Sequence, residues 1–110
     1  MRIFHVFACC AVLAVSSAAA PATPKKGDTA KGKSTFEGQC SVCHASATNE
    51  RKMGPSLKNL FKNAKLSNGK KPTEANVRAK IDEGGSGMPA YKDMLSDEDK
   101  NDLIGYLKTL

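Results

Sequence analysis

Cys40-Ser41-Val42-Cys43-His44 packs three scarce residues, two cysteines and a histidine, into five positions of a 110-residue chain. This Cys-x-x-Cys-His spacing is the one that attaches a c-type haem covalently. Each thiol can add across a haem vinyl group, and His44, next in the chain, is then held under the ring with an imidazole nitrogen facing the iron. A Cys-x-x-Cys pair can also be half a zinc site or a redox-active dithiol. Structural zinc takes four Cys or His ligands, and a thioredoxin-type dithiol belongs beside a βαβ pattern. Beyond residues 1–20, which read as a removable leader, the sequence offers no second cluster, and no stretch alternates with period two. A simple local disulfide would leave His44 unexplained.

Toward the N-terminus, residues 1–20 read as a signal peptide. Arg2 supplies a positive n-region, Val6 to Val15 a short apolar run, and Ser16 to Ala20 the small residues a signal peptidase needs. Cleavage is expected after Ala20 or, because Pro21 is a poor first residue, after Ala22. The apolar run is shorter than the ~20 residues of a membrane span, so no span is expected once it is removed. Cys9, Cys10 and His5 leave with it. The remainder then holds two cysteines and one histidine, all in the one motif. The expected location is periplasmic or otherwise exported.

Without Arg2, 16 basic and 11 acidic side chains remain, and the only aromatics are Phe36, Phe61, Tyr91 and Tyr106. So small a chain buries a limited share of its surface and often needs a staple or a cofactor to complete its core. Nucleic-acid binding fits poorly with export and with so few aromatics to stack on bases. Lys58, Lys62, Lys65, Lys70, Lys71 and Lys92 suit instead a redox partner with an acidic docking surface, such as a terminal oxidase, a cytochrome complex or a dehydrogenase.

The pattern predicts one all-α domain over residues 28–110, after a flexible Pro/Lys/Thr-rich lead-in at 21–27. Asp28 caps a first helix running to about Cys40. Ser56 caps a short second helix from Leu57 to about Lys65, with Leu57, Leu60, Phe61 and Ala64 on one side. Thr73 starts a third, which Gly84-Gly85 stops. Ser96 caps the last, with Asp97, Glu98 and Asp99 in the dipole-favoured first turn and Leu103, Ile104, Tyr106, Leu107 and Leu110 on a broad apolar face.

A second iron ligand must come from Met53, Met88 or Met94, since no second histidine remains. A methionine is more often core filler than a ligand. Met88 stands apart, because Gly87 lets the backbone approach a flat ring and Pro89 restricts it on the other side. Met53, nine residues beyond His44, falls more naturally on the histidine's side, and Met94 reads as packing. Met88 is the favoured ligand under the His/Met option.

The ordered set Gly32-x-x-x-Phe36, Cys40-x-x-Cys43-His44, Gly54-Pro55-x-Leu57, Gly87-Met88-Pro89 and Leu103-x-x-Tyr106 resembles the class I monohaem cytochromes c, small soluble bacterial proteins, across residues 28–110. The resemblance implies four or so helices around one covalently bound haem c. It also implies first and last helices crossing near perpendicular, with Gly32 at the contact and Phe36, Leu103 and Tyr106 around it. It assigns the backbone carbonyl of Pro55 the role of hydrogen-bond acceptor for the other imidazole nitrogen of His44; a plain Gly-Pro turn is the alternative. The tryptophan that contacts a haem propionate in many relatives is missing here, with Tyr91, Arg78 or a lysine as substitutes. A haem motif this early in the chain argues against the four-helix-bundle cytochromes.

His/Met ligation implies a carrier of single electrons at relatively high potential, and not an enzyme; the protein is also expected to be soluble and monomeric. Two alternatives stand beside it. One is a haem enzyme or gas-binding domain with an open sixth position, peroxidase-like. The other is a fixed haem subunit of a dehydrogenase or oxidase complex.

Overall fold

A computed structural model describes residues 25–110; the expected signal peptide lies outside the described residues. Three α-helices carry the fold: α1 (Thr29–Gln39), α2 (Glu74–Glu83) and α3 (Asp97–Leu107). Each begins where a short polar side chain can take up orphan backbone N–H groups. The Asp28 carboxylate accepts from Ala30 and Lys31 at 3.0 and 3.1 Å. Thr73 accepts from Asn76, and Ser96 forms a reciprocal capping box with Asp99. At the other end of α2, Gly84 takes a positive φ of 63° and turns the chain out of the helix.

The expected helix over 57–65 shrinks to one 3₁₀ turn, Leu60–Lys62. Asn59 sits in the left-handed region at φ 58°, and Asn63 is extended, so no helical path can run through either. Ser56 does accept from the Lys58 N–H at 3.1 Å, but it heads a turn. Leu60 still reaches the core, with Leu57 and Phe61 half-buried against it, whereas Ala64 is exposed. Lys58, Lys62 and Lys65 therefore line a loop and not a helix face.

Phe36, Leu60, Val77, Ile81, Tyr91, Leu103, Ile104 and Leu107 form the core. Their spacing explains the burial: Val77 and Ile81 are one turn apart on α2, as are Leu103 and Leu107 on α3. Full burial of one such side chain stabilises by about 1.5–3 kcal/mol. Helices α1 and α3 pack directly with almost no spacer. A Cβ on Gly32 would lie 2.9 Å from the Tyr106 Cβ and far closer to the Asp102 carbonyl. Phe36 and Tyr106 meet beside that contact, ring centroids 5.6 Å apart. The buried Asp102 carboxylate accepts from the Asp28 N–H at 2.7 Å, so α3 also secures the entry to α1. Gly27 already lies against α3, at the Asn101 backbone and Gly105.

Candidate haem attachment site

Helix α1 ends at Cys40, whose N–H still reaches the Phe36 carbonyl. The chain then makes one further helical turn. Cys43 N–H and His44 N–H both donate to the Cys40 carbonyl, at 3.1 and 2.9 Å. Positions three and four apart on such a turn project to one side. Cys40, Cys43 and His44 thus share a side, and both thiols are free and half-buried. Burial, with Cys43 beside it, pushes the Cys40 thiol up to about 11, so it stays protonated while unreacted at neutral pH.

The His44 Nδ1 lies 2.7 Å from the Pro55 carbonyl oxygen. A carbonyl oxygen can only accept, so that contact requires Nδ1 to carry the proton and to donate. The lone pair is then left on Nε2, free to face a metal. Two backbone bonds bring Pro55 into place: Gly54 N–H donates to the Cys43 carbonyl at 2.8 Å, and Leu57 N–H to the Ala45 carbonyl at 2.8 Å. Gly54 also presses on the imidazole. A Cβ there would lie 2.5 Å from His44 Cε1, a distance that no real contact allows.

Met88 follows α2 in a tight hairpin. Gly85 and Met88 exchange both backbone bonds, at 2.9 and 3.0 Å. The two residues between them, Ser86 and Gly87, have φ 52° and 88°, the positive-φ pair of a type I′ turn. Met88 is half-buried and packs on the core cluster, as does Cys40. Met53 is 80% exposed and Met94 62% exposed. Met53 lies next to Cys43, with its Sδ 3.9 Å from the Cys43 Sγ.

The donor set fits a covalently held haem: two thiols and an imidazole on one turn and a fixed tautomer, with Cys40, Leu57, Phe61 and Met88 all half-buried at the margin of one core. Among the described residues no group of three His, Cys, Asp or Glu side chains is placed to hold a bare metal ion. Two of the propionate substitutes already have partners. Tyr91 donates to the Gln39 carbonyl at 3.0 Å, and Arg78 donates to Asn101 and Asp97, each at 2.7 Å. Two features are not legible in the sequence: the close fit of Gly54 on the imidazole, and the burial of Lys100 against Asp82 at 2.6 Å. A glycine before a proline and a lysine in an acidic helical turn carry no local sign of either fit.

The family model described as cytochrome c oxidase, cbb3-type, subunit III matches residues 27–107. Cytochrome c6 of Leptolyngbya boryana is 38% identical over 80 residues, covering 73% of this chain and 89% of that protein. Cytochrome c6 of Synechocystis sp. is 34% identical over 85 residues, covering 77% and 68%. The solved structure of cytochrome c6 from the diatom Phaeodactylum tricornutum superposes with a TM-score of 0.59 at 28% identity, over 76% of this chain and 93% of that one. Motif, fold and relatives agree: the chain belongs to the cytochrome c family, as one of its small class I members with a single covalently attached haem.

Proposed function

We propose that this protein carries single electrons between redox proteins of an exported compartment, with Cys40 and Cys43 anchoring the haem and His44 and Met88 as its axial ligands. The observation that carries the reading is the Nδ1–H bond from His44 to Pro55, made on the turn that presents both thiols. Bound haem supplies the one-electron exchange between ferric and ferrous iron. Pro55 and Gly54 hold the imidazole plane and its tautomer, and the bond to the carbonyl raises its basicity. The Met88 thioether, a soft donor, favours the ferrous state and a raised potential. A filled sixth position gives a carrier and leaves no place for substrate, and the cytochrome c6 relatives support the carrier over an open-iron enzyme.

The same reading extends to location and partners. The signal-like residues 1–20 support export, with the domain from residue 28 onward. Seven exposed bases and no acid between Arg51 and Thr73 support a partner with an acidic docking surface. None of the described helices is long and apolar enough to cross a membrane.

Replacing Met88 with Ala tests the ligand set. The ferric variant is expected to lose the iron–thioether charge-transfer band, to bind carbon monoxide readily when reduced, and to show a lower potential in an anaerobic redox titration. An unchanged spectrum and potential would pass the role to Met53 or Met94.

A further inference from the structure

Lys100 is among the most buried side chains in the protein, 3% exposed, and an ammonium is rarely placed so deep without a purpose for its charge. Its Nζ makes two contacts. One is an ion pair with the Asp82 carboxylate at 2.6 Å, close but without hydrogen-bond alignment; the other is a hydrogen bond to the Lys92 backbone carbonyl at 2.9 Å. Asp82 belongs to the last turn of α2, six residues before Met88, and Lys92 follows Met88 by four. One ammonium on α3 therefore grips both limbs of the loop that presents Met88.

We propose that Lys100 is a positioning residue for the Met88 ligand, holding the loop from Asp82 to Lys92 closed on the haem side of the core. The inference rests on Met88 being the ligand. The rest of the loop is arranged to transmit that grip. Tyr91, next to Lys92, is buried; its N–H donates to the Ile81 carbonyl at 2.9 Å, and its hydroxyl reaches back to Gln39 beside Cys40. Lys80 closes the start of the loop by donating to the Gly84 carbonyl at 2.9 Å. Between these ties the only ordered pairing is the Gly85–Met88 hairpin, too short to hold its own place without support. Releasing Lys92 and Asp82 together removes the tie of both limbs to α3 and leaves the loop on its local ties through Tyr91 and Lys80.

An added ligand that displaces Met88 binds only the open loop, so its apparent affinity scales with the open fraction. The probe is imidazole, titrated spectroscopically into the ferric haem-loaded protein. Lys100→Met leaves the Asp82 charge unpaired and also lowers global stability. The decisive variant is therefore the double change Lys100→Met with Asp82→Leu, since an apolar replacement of a buried ion pair is often neutral or stabilising. In that variant the denaturant midpoint is expected to stay near the wild-type value while imidazole affinity rises about tenfold or more. Amide exchange at Met88 and Tyr91 should quicken in step. Lys100→Arg, which keeps the charge and its donors, should remain within about threefold of wild type. Wild-type imidazole affinity and loop exchange in the stable double variant would overturn the proposal. An unaltered spectrum in Met88→Ala would instead remove the ligand assignment, and the proposal with it, so the two failures are told apart.

Discussion

At the scale of single residues, the site depends on what is missing from Gly54. With no Cβ, its backbone can lie flat against the His44 imidazole while the next residue, Pro55, supplies the accepting carbonyl. Gly54→Ala would put a carbon 2.5 Å from Cε1, so either the loop or the ring has to move. Overpacking of this kind costs about 1–3 kcal/mol, which should appear as a lowered denaturant midpoint of the haem-loaded protein. A displaced ring also loses its bond to Pro55 and donates less strongly, so ferric iron is stabilised less and the potential should rise. A variant with wild-type midpoint and potential would show that the loop around Gly54 yields without cost. The motif itself was readable because Cys40, Cys43 and His44 are rare and fall within five positions. Gly54 was not, because its role exists only once residues ten apart are folded onto each other.

At the scale of elements, the sequence was most legible where helix ends have side-chain causes. Asp28 and Ser96 were expected as caps and are caps; the helix expected to start at Thr73 is capped by it, and Gly84, expected as a stop, is one. The helix over 57–65 was misread because its apolar spacing is real, while the left-handed turn at Asn59 leaves no mark that distinguishes it from an ordinary helical asparagine. Lys100 escaped for a related reason: a lysine in an acidic first turn normally reads as solvated, and only the packing of α2 on α3 buries it. The capping box of α3 makes a testable claim about acid stability. The Ser96 side chain and backbone hold the Asp99 carboxyl below its ordinary value of 3.8. A carboxylate depressed in the folded state adds stability above the unfolded value, and that stability is lost as pH falls through the folded one. Ser96→Ala should therefore cost about 1 kcal/mol at neutral pH, and the gap from wild type should narrow as denaturation is repeated toward about pH 2. A gap that stays constant with pH would assign the cap to Ser96 alone.

At the scale of the whole molecule, charge is distributed unevenly along the chain. Residues 51–73 carry seven bases and no acid, whereas residues 74–110 carry eight acids against five bases. The five ion pairs among the described residues lie outside the basic stretch, which leaves its seven side chains exposed and unneutralised. That stretch also supplies Pro55, Leu57 and Phe61, so the positive field is centred on the segment that braces His44. Exposed charges act across roughly 10 Å at 0.1 M salt, enough to steer a small anion toward this side and to repel a cation. Oxidation of the reduced protein by hexacyanoferrate(III) should therefore slow as ionic strength rises, while oxidation by a cationic cobalt complex should quicken. Changing Lys58, Lys62 and Lys65 together to Glu should lower the low-salt rate with the anion by about tenfold or more and flatten its salt dependence. Reversing Asp97 and Glu98 to Lys, on α3, should change it little, because their charges sit on a helix already balanced by Arg78 and Lys31. Equal effects from the two sets would mean that net charge alone governs encounter. A larger effect from the lysines would place the approach route on the side of the chain that holds the histidine.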